Sequence, residues 1–213
     1  MLHRSSTCII LRAPFSSGAQ RAPDDCNQEQ TRGFGTRFRR RRRAGRDQRH
    51  HRIPKDAEPV KYEVDKATGA IFVDRVLSTP MRYPCNYGYV PQTLGGDGDP
   101  LDALVILPLP LVPGSVIRCR PVGMLRMTDE AGADEKLVVA PVAKVFAGYA
   151  HISDIGQVSG HWLERIGHFF EHYKDLEKGK WVKLEGWVGA DEAKREIRAG
   201  VERYNAAAEK PAF

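Results

Sequence analysis

The chain has 213 residues and a mass of 23.8 kDa, and its 41% apolar content suits one domain with a sizeable core, or one domain plus a tail. No apolar run approaches the roughly 18 residues of a membrane span, which excludes an integral membrane protein, and four cysteines (Cys8, Cys26, Cys85, Cys119) without a CxxC pair argue against a disulfide-stapled secreted fold. The net charge of +6 divides unevenly: residues 1–52 carry 13 Arg, no Lys, three Asp and one Glu, a net +9, and the remainder carries 20 basic against 23 acidic side chains, a net −3, so an isoelectric point near 9.2 is a poor sign of a nucleic-acid-binding domain.

Residues 1–52 show no helical or strand periodicity beyond Cys8–Leu11, are rich in Arg, Ser, Gly and Gln, and include the run Arg39–Arg43. Such a composition cannot bury a core and predicts a disordered tail. An organellar targeting peptide and an RNA- or phosphate-seeking arm share the same composition. The genetic code supplies a fourth reading. One base out of frame, with CGN codons for Arg, the stretch Asp47-Gln48-Arg49-His50-His51-Arg52 can encode Ile-Asn-Val-Ile-Ile-Glu. That is a buried strand with a terminal carboxylate, running straight into Ile53-Pro54. Arg without Lys is also what an off-frame reading of a GC-rich gene gives. A single-base frameshift near Arg52, real or a sequencing error, is therefore a hypothesis; an intact frame through codons 40–55 on resequencing defeats it.

From Ile53 onward the signals are those of a folded domain. Val60–Val64 and Ile71–Val76 read as a hairpin pair, joined by Asp65–Ala70 with turn chemistry at Gly69. Leu104–Leu107, Val116–Arg126 and Leu137–Val145 are β-compatible apolar runs separated by Pro, Gly and Asp. The period then changes: Trp162, Ile166, Phe169 and Tyr173, with Leu163 and Phe170 beside them, mark an amphipathic helix ending near Gly179. Trp181–Trp187 is one more strand, and Ala193, Ile197, Val201 and Tyr204 mark a C-terminal helix. The order predicts an α+β fold: a small closed β-barrel with two main helices behind a disordered tail, and no internal repeats.

The densest chemistry is Asp97-Gly98-Asp99-Pro100-Leu101-Asp102. Three carboxylates in six residues repel one another and need cations if they are brought together. Hard oxygen ligands at this density suit Mg²⁺ or Mn²⁺, and a solvated turn is the plain alternative. A calcium EF-hand loop fails on pattern, because Leu101 occupies an alternate ligand position and no Glu closes the loop at Pro108. A second acidic cluster, Asp129-Glu130 and Asp134-Glu135, flanks Gly132 and precedes Lys136. Lys61-Tyr62-Glu63, Arg75, Tyr83, Tyr87 and Tyr173-Lys174 supply cations and phenols, each of which alone reads as surface or packing. Together they suggest a highly charged anion held by Lys, Arg and Tyr donors and bridged by metals to Asp, the recipe for phosphoryl transfer to water.

On these residues the sequence resembles the soluble inorganic pyrophosphatases of the bacterial type (family I), an OB-like barrel with helices. The resemblance is carried in order by Lys61-Tyr62-Glu63, Val73-Asp74-Arg75, Tyr83-Pro84-Cys85-Asn86-Tyr87-Gly88-Tyr89, Asp97 to Asp102, Pro113 to Ile117, Met127 to Glu130 and His168 to Lys174, across roughly three-quarters of the chain. It implies Mg²⁺-dependent hydrolysis of pyrophosphate to two phosphates, with Mn²⁺ or another divalent ion as a substitute. Asp97, Asp102 and Asp134 would bind the principal metals, and Asp129 a further one arriving with substrate. Asp99 would be the general base on the attacking water. Lys61, Arg75, Tyr87, Lys136, Tyr173 and Lys174 would hold phosphate oxygens, with Glu63 and Tyr83 in support. Metal ions sharing a water lower its pKa toward about 7, so a nearby carboxylate can take its proton at neutral pH.

One departure stands out. The family carries an apolar first strand ending in Glu just before Ile-Pro, whereas here the position is Arg52, preceded by His50-His51. As written, the barrel is expected to have an unpaired edge and the enzyme impaired activity and assembly. Competing functions are a catalytically weak relative and an OB-type nucleic-acid-binding module, the latter disfavoured by a net-acidic barrel. The resemblance further implies a homohexamer, a dimer of trimers. His168 and His172, four apart on one helix face, read as an interface pair, metal ligands or ordinary packing. A cytoplasmic location without membrane association is expected, with organellar targeting by the tail still open.

Overall fold

A computed structural model of the chain describes residues 7–10, 53–64 and 71–208. Among these the strands are β1 (Thr7–Ile10), β2 (Val60–Val64), β3 (Ile71–Val76), β4 (Asn86–Tyr89), β5 (Asp102–Val105), β6 (Val116–Asp129), β7 (Gly132–Ala133), β8 (Lys136–Pro141) and β9 (Val182–Gly189). The helices are α1 (Gly160–His172) and α2 (Ala190–Ala206). Strands β1, β4, β5, β8 and β6 pair in that order, and β6 pairs back onto β1. Five strands thus close into a ring, the small OB-like barrel of an α+β fold. Only β5 and β8 run parallel. Strands β7 and β9 extend β6 outward, and β2–β3 form a separate antiparallel hairpin.

The apolar runs of β5 and β8 are buried on both faces, and their period of two divides the core. Leu104, Val138 and Ala140 pack with Val122 and Leu125 against Ile166, Phe169 and Phe170 of α1. Ala103, Val105, Leu137 and Val139 pack with Ile117 and Met124 beneath Ala193 and Ile197 of α2. Each fully buried aliphatic side chain contributes about 1.5–3 kcal/mol of transfer free energy. The predicted stripe on α1 is the face that packs, with Trp162, Leu163 and Tyr173 at its margin.

Several boundaries differ from the expectation for physical reasons. Strand β6 continues to Asp129 because β9 and β7 pair with its end. Strand β8 stops at Pro141, not Val145: the chain turns there, Val145 N donating to Val142 O. Helix α1 stops at His172 rather than near Gly179, and residues 174–180 form turns in which Glu177 N donates to Lys174 O and Lys180 N to Glu177 O.

The expected unpaired edge is not present. Thr7–Ile10 fill it, pairing antiparallel with Val116–Cys119, and Ile10 also pairs with Tyr89. Backbone pairing asks only for an extended segment, and Cys8–Leu11 was the one stretch of the tail with a strand-like pattern. The rest of residues 1–52, Arg52 included, and the link 65–70 lie outside the described residues. Among the described residues no helix is long and apolar enough to cross a membrane.

Candidate active site

The loop between β4 and β5 carries the Asp97–Asp102 cluster, and its shape is set locally. Gly95 N donates to Asp99 O at 2.6 Å, and Asp99 N donates to Asp97 Oδ1 at 3.0 Å. Gly98 sits at φ 85°, where a Cβ would be strained. The buried Thr93 hydroxyl donates to Val90 O at 2.6 Å and accepts from Leu101 N at 3.1 Å. Helix α2 braces the same loop: Leu94 N donates to Gly200 O at 3.0 Å, and Arg203 Nε donates to Leu94 O at 2.7 Å.

Where the loop enters β5, the parallel register places Asp102 beside Lys136. Lys136, 3% exposed, puts its ammonium 2.6 Å from Asp102 Oδ2 and also donates to Asp134 Oδ1. Tyr87 on β4 donates its phenol proton to Asp102 Oδ2 as well. Burial disfavours charge on Lys136, but Asp102 and Asp134 outweigh it and hold the ammonium well above its usual range. Burial raises the Asp134 carboxyl above its ordinary value; Lys136 opposes that and the like charge of Asp102 adds to it. Burial also pushes the phenols of Tyr83, Tyr87 and Tyr173 up, so they remain proton donors at neutral pH.

The end of β6 and the turn after α1 form the opposite wall. Lys174 Nζ lies 2.7 Å from Asp129 Oδ2, both side chains nearly buried, and 3.3 Å from Glu130. Lys180 lies 2.6 Å from Glu130. Burial pushes the Glu130 carboxyl up, but hydrogen bonds from Lys180, its own backbone and Lys174 prevail and hold it at about 2. On the hairpin, Lys61 and Arg75 are cross-strand partners, with Asp74 3.7 Å from the first and 3.8 Å from the second.

These walls enclose a cavity of about 180 Å³. Every predicted site residue whose side chain is described lines it: Asp97, Asp99, Asp102, Asp129 and Asp134, Lys61, Arg75, Lys136 and Lys174, and Tyr83, Tyr87 and Tyr173. Glu63 has its backbone in β2, and its side chain lies outside the described residues. Unforeseen neighbours are Asp74 and Glu130, which hold the cationic side chains, and Tyr89, Pro100 and Phe170 in the lining. Asp74, Glu130, Tyr89, Pro100 and Phe170 all stand inside the motifs already singled out, so their place beside assigned residues was the available signal. His168 and His172 lie apart, their rings 4.6 Å from each other and His172 Nδ1 2.8 Å from Asp175.

The donor set suits divalent cations. Among the described residues no three Asp, Glu, His or Cys side chains close on one point as a ready cage. Mg²⁺ does not need one, since it keeps several waters and takes one or two carboxylates. Asp102 and Asp134, held to one ammonium with the Asp134 carboxyl raised, form a pair that further positive charge would relieve.

Residues 51–205 match the family profile described as inorganic pyrophosphatase. The chain belongs to the inorganic pyrophosphatase family. It is therefore a hydrolase acting on a phosphoric anhydride. It is 79% identical over 153 residues to the inorganic pyrophosphatase of Xanthomonas axonopodis pv. citri, covering 72% of this chain and 86% of that relative. Identity to the inorganic pyrophosphatase of Escherichia coli K12 is 62% over 151 residues, covering 71% and 86%. The crystal structure of the inorganic pyrophosphatase from Thermus thermophilus superposes with a TM-score of 0.69 at 44% identity, covering 74% of this chain and 90% of that one. The Helicobacter pylori pyrophosphatase gives 0.70 at 42% identity, covering 78% and 99%.

Proposed function

We propose that the enzyme hydrolyses inorganic pyrophosphate to two phosphates with Mg²⁺, Asp99 acting as general base. The observation that carries the reading is the single cavity in which five aspartates meet Lys61, Arg75, Lys136 and Lys174. Asp97, Asp102 and Asp134 would hold the principal ions and Asp129 a further one. Mg²⁺, when bound there, supplies neutralisation of the polyanion and acidification of a water.

The chain's own groups do the rest. Lys61 and Arg75 from the hairpin, Lys136 from β8 and Lys174 from the turn after α1 bind the terminal oxygens of pyrophosphate and stabilise charge as it shifts to the leaving phosphate. Tyr173, kept protonated by burial, donates a hydrogen bond to those oxygens, and Tyr87, likewise protonated, would do so by turning its hydroxyl from Asp102 to phosphate. Asp102, Asp134 and Asp129 each sit against an ammonium group. Asp99, whose backbone N and O are both bonded within the loop and which lines the cavity, would accept the water's proton.

Phosphate release from pyrophosphate is expected to need Mg²⁺ and to stop with EDTA. Asp99→Asn should lower kcat by roughly 10²–10⁴. Activity indifferent to EDTA, or near-wild-type turnover of Asp99→Asn at pH 7, overturns the assignment. We also read the enzyme as a homohexamer: Ile71, Val73 and Val76 on β3 share one face by their pairing with Val64, Tyr62 and Val60 and are exposed, an apolar face suited to a second copy. Sedimentation at micromolar concentration checks this.

A further inference from the structure

The stave that closes the barrel is composite. Ile53 exchanges two backbone hydrogen bonds with Tyr87, Ile53 N donating to Tyr87 O at 3.2 Å and Tyr87 N to Ile53 O at 2.8 Å. Antiparallel pairing advances one strand as it retreats along the other. Carried back from Ile53↔Tyr87, the register places residue 51 opposite Tyr89. That seat is taken by Ile10, which pairs with Tyr89. Residues 7, 8 and 9 then hold the seats of 48, 49 and 50, opposite Cys119, Arg118 and Ile117.

As written, the chain offers Gln48-Arg49-His50-His51 to those seats, and the occupant is Thr7-Cys8-Ile9-Ile10. The shifted frame described above would offer Asn-Val-Ile-Ile to the same four. The occupant matches that pattern, one polar residue followed by three apolar ones, and does not match the residues directly before Ile53. Among the described residues β4 and β6 do not pair with each other and β1 pairs with both, so the strand in that seat closes the ring.

We propose that the seat between β4 and β6 is a strand-binding site, whose ligand in this chain is Thr7–Ile10, standing in for the four residues that precede Ile53. Recognition is by β-augmentation: the backbone ladder to β4 and β6 holds the ligand. Because residues 11–52 separate the ligand from the barrel, the strand is separable and a free peptide can replace it.

The test uses the full chain carrying Ile9→Pro, which removes a backbone donor from the β1 ladder. Its thermal midpoint is expected to fall by several degrees. A synthetic peptide of residues 4–14, kept reduced, should bind this variant saturably and raise the midpoint with peptide concentration; a scrambled peptide should not. Adding Arg49→Val, His50→Ile, His51→Ile and Arg52→Glu to the Ile9→Pro chain should restore the midpoint without peptide and abolish peptide binding. An unchanged midpoint for Ile9→Pro overturns the proposal, as does equal peptide binding by the five-fold variant. Should Ile9→Pro not fold alone, refolding with the peptide present decides: recovery supports the site, and no recovery overturns it. None of these readouts depends on catalysis.

Discussion

Lys136 and Asp102 are neighbours on the parallel strands β8 and β5, and the ammonium that lies 2.6 Å from Asp102 also holds Asp134. One buried cation therefore compensates two carboxylates. On the proposed function a divalent ion would share the same pair, so stability and metal binding should be linked through this residue.

Lys136→Met should leave Asp102 and Asp134 uncompensated. Without divalent cations the unfolding free energy is expected to fall by about 3–5 kcal/mol. Millimolar Mg²⁺ should return part of it. Urea unfolding with and without Mg²⁺ measures both, and an equal loss in the two conditions would mean the pair shares no ion.

Tyr87 offers a milder change. Its ring packs 5.7 Å from Tyr83 and 6.5 Å from Phe170, and only its hydroxyl reaches Asp102. Tyr87→Phe keeps the packing and removes one hydrogen bond to a charged group, a change of about 1.5–3 kcal/mol. A fall of roughly 10–100-fold in kcat/KM is expected with an unchanged circular dichroism spectrum. Steady-state kinetics settle the size.

Glu130 makes an acid-side prediction. Its carboxyl is held at about 2 against an ordinary 4.5. A depressed carboxyl contributes stability that is present above the unfolded value and lost as pH falls through the folded one. The midpoint of thermal unfolding should therefore drop between pH 4.5 and about 2. Glu130→Gln should flatten the curve in that window and leave it parallel above it.

Gly200 links α2 to the acidic loop. A Cβ there would stand 2.8 Å from Leu101 Cδ1 and 3.2 Å from Leu94 O. Gly200→Ala must push the helix off the loop that carries Asp97 and Asp99, at a cost of about 1–3 kcal/mol. Lower kcat should accompany lower stability, although residue 200 touches nothing in the cavity. Unfolding and kinetics on one preparation test the coupling.

The strands and helices that announce themselves by period were legible from the sequence: the hairpin β2–β3 falls on its predicted bounds, and the buried face of α1 is the predicted stripe. The charged residues line one cavity, the grouping that the resemblance implied; spacing and residue type alone left a solvated turn and surface packing open. Less legible was anything decided by long-range pairing. Cys8–Leu11 carries a strand-like pattern too short to announce a partner at Val116–Cys119, more than 100 residues away. The double grip of Lys136 was likewise invisible, since it follows from the parallel register of β5 and β8.

The ring's closure also has a timetable. Thr7–Ile10 leave the ribosome before the rest of the ring, and their partners Val116–Cys119 are made more than 100 residues later. At about 5–20 residues per second the segment waits roughly 5–20 s. Contacts so distant in sequence form late, after the loop between them has been closed at an entropic cost. A nascent chain stalled before residue 116 should thus carry no closed barrel, and the ring's first-made strand becomes the last to lock.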